Sequence, residues 1–140
     1  MPASTAVSAA RWLAGADFDP AHAQRWWDAI GTALLPAGRR WDVVITNTQD
    51  GSKALEAGLE GPVFCDPTED CYCFLVPAGT SRSWKLEGTR CLGKNCWISV
   101  PATTKRTAGV NQGAYWVRPP DGSGVLVDPK LLRAVLEGAS

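Results

Sequence analysis

The run Trp41-Asp-Val-Val-Ile-Thr46 constrains the fold more than any other segment of this chain. Its β-branched residues fit a pleated strand and lose side-chain freedom in a helix, and polar residues bound it on both sides. We place it at the centre of a sheet. A central strand obliges the rest of the chain to supply neighbours.

The flanking segments can do so. Gln49-Asp50-Gly51-Ser52 is a turn that starts a helix, Ala54, Leu55 and Leu59 give that helix one apolar stripe, and Gly61-Pro62 breaks it. Val63–Cys65, Cys71–Val76, Trp97–Val100 and Ala114–Arg118 are short strand candidates separated by Gly, Pro, Asn and Asp clusters, which suggests a meander or hairpins. Ahead of the central strand, alanine-rich Thr5 to Leu13 predicts a first helix that Gly15 stops. Asp19 caps a second, Ala21 to Ile30, with Pro20 in its first turn and Gly31 at its end. Asp128 caps a last amphipathic helix, Lys130 to Leu136. The expected fold is α+β: one small domain, residues 1–140, with a central, mostly antiparallel sheet flanked by N-terminal helices, a βα unit and a C-terminal helix.

At 140 residues and 45% hydrophobic composition the chain can bury a core without staples. No apolar stretch approaches the roughly 20 residues that cross a bilayer, so no membrane partner is expected. Met1 to Arg11 lacks a basic segment ahead of an apolar run, which predicts a cytoplasmic protein. The five cysteines are then thiols or metal ligands rather than disulfides. Cys71, Cys73, Cys91 and Cys96 are a candidate four-thiolate zinc set, weighed against packing of the same side chains as small hydrophobes. No cofactor is implied. The lone histidine, His22, leaves a cysteine or serine nucleophile without a base, and reads as a surface side chain.

The formal net charge of zero hides two halves. From Asp42 to Val76 there are seven acids against Lys53, a net −6; from Pro77 to Arg118 there are seven bases against Glu87, a net +6. The basic half offers Arg82, Lys85, Arg90, Lys94, Lys105 and Arg106 as contacts to a phosphate backbone, with Trp84 or Trp97 for stacking. Gly79-Thr80-Ser81-Arg82 offers amides, hydroxyls and a guanidinium to a phosphate. The opposed halves also fit docking on a protein partner, or on a second copy head to tail.

Four stretches in order carry a family resemblance: Arg25-Trp26-Trp27; Trp41–Thr46 with Gly51-x-x-Ala54-Leu55; Cys71-Tyr-Cys-Phe-Leu-Val76-Pro77-Ala-Gly79-Thr80; and Gly88-Thr-Arg-Cys-Leu-Gly93-Lys-Asn-Cys-Trp97-Ile-Ser-Val-Pro101. They resemble the primase-polymerase domain of bacterial plasmid and mobile-element proteins, of the archaeo-eukaryotic primase type, and span most of the chain. The resemblance implies an Asp-x-Asp metal site at the end of the first strand, a histidine at the start of a later strand and an acid ahead of a glycine hairpin. Here those places hold Thr46-Asn47-Thr48, Cys71 and Arg90. An arginine where a metal should sit puts positive charge where phosphoryl transfer has to gather it. The expectation is a degenerate, non-catalytic member that regulates by binding nucleic acid or a protein. Two alternatives from other classes are a protein adaptor or inhibitor, and a residual metal-dependent phosphoryl-transfer enzyme using Asp42, Asp50 or Asp66.

Overall fold

The computed structural model describes residues 2–107 and 113–139, with side chains for 8–107 and 113–138. The elements run α1 (Pro2–Ala14), α2 (Pro20–Ile30), β1 (Thr32–Pro36), β2 (Trp41–Asn47), α3 (Thr48–Glu56), β3 (Val63–Asp66), β4 (Cys71–Pro77), a 3-10 turn (Thr80–Arg82), β5 (Arg90–Leu92), β6 (Trp97–Pro101), β7 (Tyr115–Arg118) and α4 (Pro129–Ala139). Five strands form one sheet in the order β5-β2-β4-β3-β7, and β1 pairs with β6 in a second. Every pairing is antiparallel. The fold is α+β, and β2 lies between β4 and β5.

The helix ends follow from local chemistry. Asp19 accepts the Ala21 N–H at 3.2 Å ahead of Pro20, and Gly31, at φ 80°, closes α2 with its N–H on the Trp27 carbonyl. Asn47 caps α3 by accepting the Asp50 N–H at 2.7 Å, and Asp128 caps α4 through the Lys130 N–H at 2.9 Å.

Side chains alternate across the large sheet, so β2 feeds two cores. Trp41 and Val43 join Cys73, Leu75, Phe64 and Trp116 under α1, α2 and the β1–β6 pair. Val44 joins Phe74, Val76 and Val63 against α3 and α4. Trp116 stands edge-on to Phe64 at 5.2 Å and donates its indole N–H to the Pro101 carbonyl at 2.8 Å. Trp27 does the same to Val100 at 3.0 Å, which ties α2 to β6. Trp27, Trp41 and Trp116 are core anchors; Trp26 and Trp97 are exposed.

Two strands depart from the sequence reading. Thr32–Pro36 was not among the expected strands because alanine and leucine favour helices locally; its pairing with β6 over five residues decides its state. Arg90–Leu92 is three residues long, and β2 alone holds it in the sheet.

Candidate functional site

The positions named by the resemblance converge. Cys71 sits opposite Asn47 across the β2–β4 pair, and Arg90 sits opposite Ile45 across the β2–β5 pair. Counting by twos along β2 puts Ile45, Asn47, Cys71 and Arg90 on one face of three neighbouring strands. They line a cavity of about 430 Å3, with Glu69 and Asp70 from the β3–β4 turn. The residue of the Thr46-Asn47-Thr48 triplet that shares this face is the middle one. Thr46 is 1% exposed and points the other way, under α3, with its hydroxyl on the Asn47 carbonyl at 3.0 Å. Thr48 donates to Asp70 at 3.2 Å.

The sheet divides the thiols that zinc would require together. Cys71, Cys73 and Cys96 belong to the first core, whereas Cys91, opposite Val44, packs into the second. The four-thiolate set therefore does not assemble, because an odd number of residues along β5 turns Cys91 to the far side. Among the described residues no group of three or more His, Cys, Asp or Glu side chains is arranged to hold a metal. Burial pushes the Cys91 thiol up to about 12. Cys71 and Cys73 share a hydrogen bond and titrate as a pair. The Cys73 thiol donates to Cys71, which draws Cys71 below the ordinary thiol value and raises Cys73, with burial adding to the rise. Arg90 also lowers Cys71, while burial, Asp66 and Glu69 oppose it.

The acids of the enzymatic alternative do not meet. Asp42 pairs with Val76 and Asp66 with Cys71, five residues apart on β4, or roughly 16 Å at the usual strand rise. Asp50 stays beside Asn47 at the start of α3. Asp42 is fully buried and has another job: its carboxylate accepts the Gly79 N–H at 3.0 Å and the Ser81 N–H at 2.8 Å. Those are the amides that the phosphate reading of Gly79-Thr80-Ser81-Arg82 needed. They are turned inward, and what the 3-10 turn presents outward is exposed Arg82.

Three loops meet around that turn. A Cβ at Gly93 would collide with Ser81 Oγ, and one at Gly38 would lie 2.6 Å from Lys94 Cα. The β1–β2 turn, the β5–β6 turn and the 3-10 turn are therefore in contact, and they bring Arg39, Arg40, Lys94 and Arg82 to one corner, all exposed. Arg39 stacks over Phe18 at 4.4 Å, and Phe18 contacts Trp97 at 6.1 Å. Phe18 is 69% exposed and Trp97 49%, so a basic corner grades into an aromatic platform. Arg90, on the edge strand β5, continues the charge along that edge, and Lys85 is exposed in the loop that leads into it.

The remaining candidates lie elsewhere. Lys105 runs over Gly31 at the C-terminal end of α2, where a cation complements the helix dipole. Arg106 donates to the Trp116 carbonyl on β7, at the opposite edge of the sheet from β5. Trp84 is half-buried against the second core and donates to Thr89 at 2.9 Å, away from the Phe18–Trp97 pair in contact and in core. His22 is held by Asp17 at 2.9 Å and accepts from the Trp26 indole at 2.8 Å. Arg39, Arg40 and Phe18 are not singled out by the sequence, and Asn47 enters there only as the middle of the Thr46-Asn47-Thr48 triplet. The Arg39-Arg40 doublet after the Pro36–Gly38 turn was the available signal.

No family model, no curated protein and no solved structure matches this chain.

Proposed function

We propose that this chain is a non-catalytic, primase-polymerase-like module that binds single-stranded nucleic acid along its β5 edge. The observation that carries the reading is the corner where Arg39, Arg40, Arg82 and Lys94 from three loops stand beside the Phe18–Trp97 platform. Cations that track phosphates, next to aromatic faces that accept bases, are the two ingredients of single-strand binding without sequence preference. The scaffold half of the reading draws on Asn47, Cys71 and Arg90, far apart in sequence, lining one cavity without a carboxylate or imidazole at those three positions.

The test is a titration with single- and double-stranded DNA at several salt concentrations. Four phosphate contacts give a log–log slope of about −3 for a single strand, and Arg39→Ala or Arg82→Ala each lowers its magnitude by roughly 0.7. Undetectable binding at low salt overturns the nucleic-acid reading. Incorporation of nucleotides on a primed template overturns the non-catalytic one. A protein adaptor is the second reading, favoured by Leu34, 54% exposed and diagonal to Trp97 across the β1–β6 pair, which extends the apolar surface.

A further inference from the structure

We propose that the basic corner docks the opposite end of a second copy of this chain, so that copies associate head to tail. The inference shares the corner with the proposed function but stands without nucleic acid.

The two ends of the large sheet carry opposite charge. The β1–β2 turn, the 3-10 turn after β4 and the β5–β6 turn lie at the Trp41 end of β2, and they present Arg39, Arg40, Arg82 and Lys94, all exposed. Asp19, next to Phe18 in the chain, is paired with Arg25 at 3.8 Å. The Asn47 end receives the β3–β4 turn and the start of α3, with Glu69 and Asp70 exposed and Asp50 and Asp66 half-buried. Arg90, opposite Ile45, offsets one of these four acids and leaves a net −3. Further along α3, Lys53 and Glu56 cancel.

The seven residues of β2 hold the two ends roughly 20 Å apart at the usual strand rise. That is more than twice the Debye length of about 8 Å at physiological salt, so the exposed charges of one molecule are poorly placed to neutralise each other. A second copy brings acid and cation to within about 4 Å, where the attraction survives. The formal net charge of zero leaves no overall repulsion between copies. A two-fold contact through either end alone sets like charge on like. The ends face opposite ways along β2, so the complementary contact is heterologous: each copy in a pair keeps one free end, and the assembly grows with concentration. Phe18 and Trp97, both exposed beside the corner, add apolar area to the contact.

Sedimentation velocity on the full chain, without nucleic acid, tests this. At about 20 mM salt the weight-average mass is expected to rise continuously between about 20 and about 500 µM protein, with association weakened at least about tenfold by about 300 mM salt. Two double variants disable one end each. Arg40→Glu with Lys94→Glu cancels the charge of the corner and spares the Arg39 contacts to Phe18 and the Ala16 carbonyl. Glu69→Lys with Asp70→Asn cancels the acidic end, and asparagine tolerates the φ of 55° at position 70. Each variant alone is expected to stay monomeric. An equimolar mixture is expected to form a heterodimer that grows no further, because one intact corner meets one intact acidic end. A monomeric unsubstituted chain at low salt overturns the proposal. So does association that persists at high salt, that stops at two copies in the unsubstituted chain, or that survives in either variant alone, and so does a mixture that stays monomeric. Circular dichroism checks that the variants fold; should one unfold, the salt and concentration dependence of the unsubstituted chain decides alone. The DNA titration is a separate measurement, so the two readings fail separately.

Discussion

Replacing Asp42 with alanine tests how the basic corner is held together. Its buried carboxylate accepts two backbone N–H groups, from Gly79 at 3.0 Å and Ser81 at 2.8 Å. Hydrogen bonds to a charged acceptor contribute about 1.5–3 kcal/mol each, so roughly 3–6 kcal/mol is lost when both go. The other oxygen, Oδ1, is buried without a partner, and removing it returns about 1–3 kcal/mol of desolvation cost. Matching the ends of the two ranges, the net expectation for Asp42→Ala is a loss of about 2–3 kcal/mol, a large share of the 5–15 kcal/mol typical of a domain. Urea unfolding followed by tryptophan fluorescence and circular dichroism measures it, with hydrogen exchange at Gly79 and Ser81 as the local readout.

Asp42→Asn keeps one acceptor oxygen and is expected to lose less. The two substitutions also separate order from charge in nucleic-acid binding. Removing a carboxylate from a basic neighbourhood strengthens phosphate binding by Coulomb attraction alone, whereas releasing the 3-10 turn disperses Arg82 and weakens it. If Asp42→Ala unfolds within about 0.5 kcal/mol of the unsubstituted chain and leaves the Gly79 and Ser81 amides protected, the reasoning from these two bonds is wrong.

Gly51→Ala inverts a familiar sign. Alanine in a helix interior normally gains up to about 1 kcal/mol over glycine. Here its Cβ would run into the Tyr72 ring and approach Thr46 Oγ1 to 2.6 Å, so a loss of about 1–3 kcal/mol is expected in thermal or urea unfolding. Cys91 makes stability fall in alkali. With its folded value raised from 9.0 to about 12, the unfolded chain releases this proton first, so the contribution is complete below pH 9 and lost between pH 9 and 12. Urea midpoints from pH 8 to 10.5 should decline less steeply in Cys91→Ala, and parallel declines would refute the assignment.

The parts of the fold legible in sequence are those set by neighbours in the chain. Asp19-Pro20 and Gly31 bracket α2, and the β-branched run of β2 lies between two strands, because caps and strand preference are local properties. β1 was illegible since Ala33, Leu34 and Leu35 become a strand only through β6, about 65 residues later. The basic segment from Pro77 to Arg118 reads as one stripe in sequence, yet the chain crosses from β5 at one edge to β7 at the other within it. Lys105 and Arg106 leave the group for that reason. Arg39 and Arg40 enter it because Gly38, at φ 90°, permits its backbone to touch that of Lys94. Contacts of that sequence separation follow from sheet topology and not from composition.

If the chain binds a single strand as proposed, the same topology argues where that strand runs. The cavity that holds Arg90 also carries Glu69 and Asp70, with Asp66 on the adjoining cavity wall, so its entrance repels phosphate on the β3–β4 side. The corner at Arg39, Arg40, Arg82 and Lys94 has no exposed acid in its three turns. A strand that follows the β5 edge keeps its phosphates on the basic corner and its bases toward Phe18 and Trp97, and passes the cavity at its rim. Neutralising the acids by Glu69→Gln with Asp70→Asn is then expected to raise affinity only modestly, by about twofold to fivefold at low salt and less at high salt, because the contact is long-range and screened. Binding through the cavity itself demands the opposite pattern. There the pair of acids opposes each phosphate directly, and their removal raises affinity by more than about tenfold while Arg39→Ala changes little. Anisotropy titrations of these variants at two salt concentrations separate the two paths.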